Sequence, residues 1–166
     1  STITADHRQE ERMIQQGRLL TSDAKIKTVL AGVRRIALCG ASDRPDRPSH
    51  QVMAALLHWG YEVVPVNPRL AGANILGQPV VGQLADIDGP VDMVDLFINS
   101  ARVGALVDEA LVLGQPLIWM QQGVIDEAAA KRAVTAGCPV VMDRCPKIDI
   151  PMLGVQTPTS VIQSEL

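Results

Sequence analysis

A doubly wound, parallel α/β sheet in a single domain is the fold class that this sequence predicts, and three observations predict it. Short apolar runs alternate with longer amphipathic stretches along most of the chain. The runs are nearly continuous in apolar residues, as in strands buried on both faces by helices. The 166 residues, 47% of them apolar, fit one domain with a sizeable core. Aromatic residues are only 2%, so that core is built from Val, Leu, Ile, Ala and Met.

The elements follow in order. Residues 1–21 read as an N-terminal helical arm, with Met13, Ile14 and Gly17 bounded by charges. Ser22-Asp23 is a helix start, Ile26, Val29 and Leu30 share one face, and Gly32 ends the helix. Ile36–Cys39 is the first strand, closed by Gly40. Ser49 opens a helix that buries Val52, Met53, Leu56 and Leu57 and stops at Gly60. Glu62–Val66 is the next strand, ended by Asn67-Pro68. A Gly- and Asn-rich loop runs from Leu70 to Gly77, Pro79–Val81 is a short edge piece, and Gln83–Ile87 is one helical turn. Met93–Ile98 is a strand, and Ser100 caps a helix through Val112. Leu117–Met120 is a strand, and Asp126 starts a helix that Gly137 ends. Pro139–Met142 is the last strand. The domain is expected over 22–150, with 151–166 as a proline-containing tail along the surface.

Composition excludes several function classes. The net charge of -3 and the scarcity of aromatic residues argue against nucleic acid as a partner. No apolar run approaches the roughly 18 residues that cross a bilayer, so no membrane partner is expected. The N-terminal stretch STITADHRQEERMIQQ is polar and does not read as a secretory signal. Cys39, Cys138 and Cys145 are odd in number and form no CxxC, and the sequence has no HxxxH. Buried free thiols in a reducing cytoplasm are therefore expected, without a metal.

In such a sheet, ligands bind outside the carboxyl ends of the strands, at the point where strand order reverses. The first loop in that position is Gly40-Ala41-Ser42-Asp43-Arg44-Pro45-Asp46-Arg47-Pro48-Ser49. Gly40 permits a tight turn, Ser42 offers a hydroxyl, and the helix opening at Ser49 presents free N–H groups and a positive dipole end. Arg44 and Arg47 add forked donors suited to phosphate oxygens. This is the composition of a phosphate-binding loop; the plainer alternative is a connection with solvated charges. It is neither GxGxxG, since Ser42 and Pro45 occupy the later glycine positions, nor a Walker loop.

After the second strand stand Val66, Asn67, Pro68 and Arg69. A dinucleotide site usually places a carboxylate here for the ribose hydroxyl. An amide and a guanidinium suit a phosphorylated ribose instead. Farther along the same edge, Phe97 either lines the cleft or packs in the core, with Asn99, Ser100 and Arg102 behind it. Gln121, Gln122 and Gly123 follow the next strand. Asp143 and Arg144 are read as an internal ion pair, and Cys145, between Arg144 and Lys147, either as a thiol in an electropositive setting or, more plainly, as a quiet buried thiol. His50 reads first as a helix-surface residue. No GxSxG or HExxH is present, so no catalytic set is assigned.

The stretches GASDRPDRPS (40–49), GYEVVPVNPR (60–69), LGQPVV (76–81), PVDMVDLF (90–97), WMQQGV (119–124) and VVMDRCPKID (140–149) resemble, in order, the YccU-like family of CoA-binding proteins. That family is itself similar to the N-terminal domain of the succinyl-CoA synthetase alpha subunit. The resemblance spans about Ser22 to Lys147. It implies a Rossmann-like fold and binding of coenzyme A or a short acyl-CoA. Gly40, Ala41, Ser42 and Arg47 would hold the phosphates, and Val66, Asn67, Pro68 and Arg69 would lie by the adenosine. The family tail commonly runs Cys-x-Lys-x-Glu-His; here Asp149 replaces the Glu and Ile150 the His. The resemblance implies no shared activity.

The expected function is thus a small CoA-binding protein, non-catalytic or regulatory, in the cytoplasm, with a protein partner or a second copy as further partners. The expected site comprises Gly40, Ala41, Ser42, Arg44, Arg47, Ser49, Val66, Asn67, Pro68, Arg69, Phe97, Gln121, Gly123 and Cys145. The alternative is an NADP- or other nucleotide-dependent enzyme, in which Arg69 would meet a 2′-phosphate.

Overall fold

Five parallel strands form the central sheet in a computed structural model that describes residues 18–165. In chain order the elements are α1 (Asp23–Ala31), β1 (Arg35–Cys39), α2 (Pro48–His58), β2 (Glu62–Val66), β3 (Asn74–Ile75), β4 (Gln78–Pro79), β5 (Met93–Leu96), α3 (Ser100–Ala110), β6 (Leu117–Met120), α4 (Glu127–Thr135), β7 (Val140–Val141), α5 (Pro146–Met152) and α6 (Pro158–Glu165). One-turn 3-10 helices lie at Leu84–Asp86 and Leu111–Leu113. The spatial order is β2-β1-β5-β6-β7, with β3 and β4 as a separate antiparallel pair. The Rossmann-like, doubly wound architecture expected from the sequence is present.

This order places the reversal between β1 and β5, which pair from Ile36↔Met93 to Cys39↔Leu96. From β1 the chain runs outward first to β2 on one side and later through β5 to β7 on the other. Two apolar layers cover the sheet. One gathers Ile26, Leu30, Val52, Met53, Leu56 and Ile150 from α1, α2 and α5 against Leu38, Met93 and Trp119. The other gathers Leu84, Val103, Val107, Ala129 and Ala133 from the 3-10 turn, α3 and α4 against Cys39, Leu96 and Met120. Trp119 is fully buried, and its indole N–H donates to the Arg144 carbonyl at 2.8 Å, which satisfies the ring's only polar group.

Local chemistry explains the helix starts. Ser22, Asn99 and Asp126 each accept a backbone N–H two or three residues onward, from Lys25, Ala101 and Ala129. The helix after β5 is thus capped by Asn99 rather than Ser100, and it gives way to a 3-10 turn at Leu111. Pro48 occupies the first turn of α2, where no donor is required.

The ends of the chain differ from their expected form. Most of the expected arm, residues 1–17, lies outside the described residues. Residues 18–20 are extended: Leu20 N–H donates to the Val140 carbonyl, and Val140 N–H to that of Arg18. They cover the edge of β7. The segment read as a surface tail forms α5 and α6, so a boundary at 150 falls inside a helix. Thr159 N–H donates to the Trp59 carbonyl and fastens α6 beside α2. No helix among the described residues is long and apolar enough to cross a membrane.

Candidate functional site

The carboxyl ends of β1, β2 and β5 converge on Gly40. Its φ of +81° lies in the left-handed region, and a Cβ there would overlap the Phe97 carbonyl oxygen. Only glycine allows the two strands at the reversal to leave the sheet this close together. Phe97 N–H donates to the Cys39 carbonyl, while Gly40 and Ala41 both donate to the Val66 carbonyl. Backbone bonds thus tie all three strand ends together.

A cavity of about 500 Å³ opens over this junction. Of the expected site, Gly40, Ala41, Ser42, Arg44, Arg47, Ser49, Asn67, Arg69 and Phe97 line it. Here α2 begins without a side-chain cap, with Arg47 in the capping position. Its first turn faces the loop with N–H groups and the positive end of the helix dipole. Arg44 lies 3.6 Å from Asp46, both exposed. Arg47 and Arg69 have no carboxylate partner among the described residues, which leaves both guanidinium forks for an anion.

Two residues brace the loop. Asn67 donates through Nδ2 to the Ala41 carbonyl at 2.8 Å and accepts the Arg69 N–H on Oδ1, also at 2.8 Å. It joins the β1 and β2 loops and aims Arg69, so its polar atoms serve the protein before any ligand. His50 is half-buried rather than a plain surface residue, and its Nδ1 lies 3.0 Å from the Ser42 carbonyl. The Ser42 hydroxyl accepts the Arg44 N–H at 3.1 Å and keeps its own proton to donate.

The rest of the expected site divides between the two faces of the sheet. Val66 and Pro68 line a cavity of about 670 Å³ together with Gly40, Gln83, Asp86, Arg102 and Glu109. Gln83 and Asp86 were legible only as part of a helical turn, without a role. Phe97, Gln121 and Cys145 line a third cavity, of about 580 Å³, with Pro48, Lys147 and others. Phe97 and Pro48 are shared with the cavity over Gly40, so the three spaces adjoin along one crevice.

Gly123 lines none of these three. Its φ is +80°, its N–H donates to Asp143 Oδ1 at 2.7 Å, and its carbonyl accepts from the Ser100 hydroxyl at 3.4 Å. It fastens neighbouring strand-end loops together.

The expected Asp143–Arg144 pair is absent. Arg144 bonds Asp149 at 2.7 and 3.2 Å and Asp23 at 3.0 Å, while Asp143, at φ +60°, turns toward Gly123. The hydrogen bonds that Arg144 donates to Asp149 are the main influence holding the guanidinium protonated, above its already high range. Arg144 is therefore committed to carboxylates and is no free cation for Cys145. Asp149 is buried in this pair and Ile150 in the core. All three cysteines are free and buried, and no cluster of metal-ligating side chains occurs among the described residues.

Relatives share the sequence and the fold. A curated protein of Bacillus subtilis strain 168, the uncharacterized YneT, is 42% identical over 127 residues, which are 76% of this chain and 93% of that one. A solved Thermus thermophilus structure, cell-free ID.343, is 35% identical with a TM-score of 0.76, covering 80% of this chain and 99% of its own. A hypothetical protein from Pyrococcus horikoshii OT3 is 33% identical, also at 0.76, covering 82% and 96%. The family model described as a CoA binding domain matches residues 34–151, from the start of β1 into α5. By that match, which takes in the whole sheet and the crevice at its reversal, the chain belongs to the CoA-binding domain family.

Proposed function

We propose that this protein binds coenzyme A or a short acyl-CoA along the crevice, as a binding or regulatory protein without chemistry of its own. The observation that carries this reading is the cavity over Gly40. It combines an uncapped helix start with Arg47 and Arg69, both free of carboxylates among the described residues. An anion with several phosphate oxygens is the ligand such a site suits.

The remaining residues fit the rest of the molecule. The diphosphate meets the loop from Gly40 to Arg47 and the first turn of α2. The ribose 3′-phosphate meets Arg69, which Asn67 aims. Adenosine enters the cavity of Val66 and Pro68, where Gln83 and Arg102 offer polar contacts. The thiol-bearing arm turns the other way, past Pro48 and Phe97 into the cavity of Gln121 and Cys145. Free buried thiols fit a reducing compartment such as the cytoplasm.

Two substitutions test the assignment of phosphates. A hydrogen bond to a charged group is worth about 1.5–3 kcal/mol, or roughly ten- to a hundredfold in affinity. Arg69→Ala should weaken CoA by about that factor and barely change dephospho-CoA. Arg47→Ala should weaken both ligands alike. Equal loss of both ligands in Arg69→Ala would remove Arg69 from the 3′-phosphate and reopen the NADP-like reading.

A further inference from the structure

The cavity on the α2 and α5 side of the crevice holds an unmet hydrogen-bond requirement. Gln121 lines it, is only 5% exposed, and its Oε1 has no hydrogen-bond partner. Native proteins rarely leave a buried amide oxygen unpaired, because burial removes the water that would otherwise satisfy it. Its position on a cavity wall points to a ligand that brings an N–H. Val52, Phe97, Val124 and Ile148 give the cavity apolar wall, interspersed with the polar Gln51, Asn99 and Gln122. A chain of methylenes interrupted by secondary amides matches both features, and that is the chemistry of the arm between the diphosphate and the thiol of CoA.

Cys145 stands on the same wall. It is free and mostly buried, and it follows β7 on the ligand edge of the sheet. Lys147 lines the same cavity. The other two cysteines are placed differently. Cys138 lines none of the three cavities of the crevice, and burial raises its thiol pKa. Cys39 lines the cavity on the opposite side, where burial holds the thiol far above its ordinary value.

Resting on the CoA reading above, we infer that Cys145 is a site of covalent modification by CoA, formed by thiol exchange with CoA disulfide. The Cys145 sulfur, as thiolate, attacks one sulfur of the disulfide. A new S–S bond joins Sγ to that CoA as the original S–S bond breaks, and the second CoA leaves as a thiolate. The proton released by Cys145 balances the one that the leaving thiolate takes up. No external oxidant is required, since CoA disulfide carries the oxidising equivalents. The phosphate loop makes the exchange selective, because it holds the disulfide under attack by its nucleotide.

Intact-mass analysis of the whole protein after incubation with CoA disulfide tests this, with peptide mapping to locate the adduct. The expected result is one CoA per chain on Cys145, removed by dithiothreitol. Positioning by the loop should make labelling roughly tenfold faster than with glutathione disulfide at equal concentration. Cys145→Ser should abolish the adduct. An adduct mapping only to Cys39 or Cys138, or equal rates with the two disulfides, would overturn the inference. No adduct while calorimetry shows bound CoA would sink the Cys145 assignment and leave CoA binding standing. No adduct and no CoA binding would sink both.

Discussion

Gly40 and Phe97 meet so closely at the reversal of strand order that a Cβ on Gly40 would overlap the Phe97 carbonyl oxygen. That contact is backbone against backbone, so no rotation of a side chain relieves it. It sets the width of the gap between β1 and β5, and the crevice opens from that gap.

Gly40→Ala should therefore cost more than a left-handed alanine costs elsewhere. Gly72 is the comparison: its φ is +87°, yet nothing lies within 4 Å of its missing Cβ. Gly72→Ala should lose about 1 kcal/mol from backbone strain, and Gly40→Ala about 3 kcal/mol or more. Urea denaturation of the two variants measures both. Equal losses would show that the close approach is not a constraint.

Asn67 should act as a brace rather than a ligand contact. Asn67→Asp keeps the acceptor for the Arg69 N–H and replaces the Nδ2 donor with an oxygen facing the Ala41 carbonyl. The expected cost is about 1–3 kcal/mol of stability, with weaker CoA binding because the two loops separate. Asn67→Asp with unchanged thermal stability would remove the brace.

Asp95 should make the protein more stable in mild acid than its surface charges alone would. It sits on β5 between Leu38 and Trp119, wholly buried, with neither oxygen bonded. Burial holds its carboxyl protonated well above the usual carboxylate range. The unfolded chain releases this proton once pH passes about 4, whereas the folded chain keeps it. Stability from this group is thus greatest below that pH and falls as pH rises, by about 1.4 kcal/mol per unit, until the folded group ionises. Asp95→Asn is neutral throughout. Its advantage over the native protein in urea denaturation should grow as pH rises above about 4. A constant difference would mean that Asp95 is ionised in the fold.

Much of the fold was legible because each strand run is bounded by turn residues. Glu62–Val66 and Leu117–Met120 begin and end where the sequence places them. The run read as Met93–Ile98 is strand only to Leu96; Phe97 makes one last bond to Cys39 before the chain leaves the sheet. The last helices were missed because Pro146, Pro151 and Pro158 suggested irregular chain. Pro146 and Pro158 instead open their helices, where the missing N–H costs nothing.

The strand-end rule located the site loops, yet it does not say on which face each side chain falls. The distribution of Pro68, Arg69 and Gln121 among three cavities depends on turns that spacing does not encode. Asp143 and Arg144 show the same limit: a left-handed residue sends adjacent opposite charges to different partners. The unpaired oxygen of Gln121 is a property of the packed core, invisible in the sequence.

Calorimetry of the native protein against CoA, NADP and ATP under one set of conditions tests CoA binding most directly. Only CoA brings a 3′-phosphate, a diphosphate and an amide arm together, for Arg69, the Gly40–Arg47 loop and Gln121. CoA should bind most tightly, by roughly tenfold or more over either competitor, the share of about one charge-assisted hydrogen bond. NADP binding as tightly as CoA would contradict it, and would make the crevice a dinucleotide site.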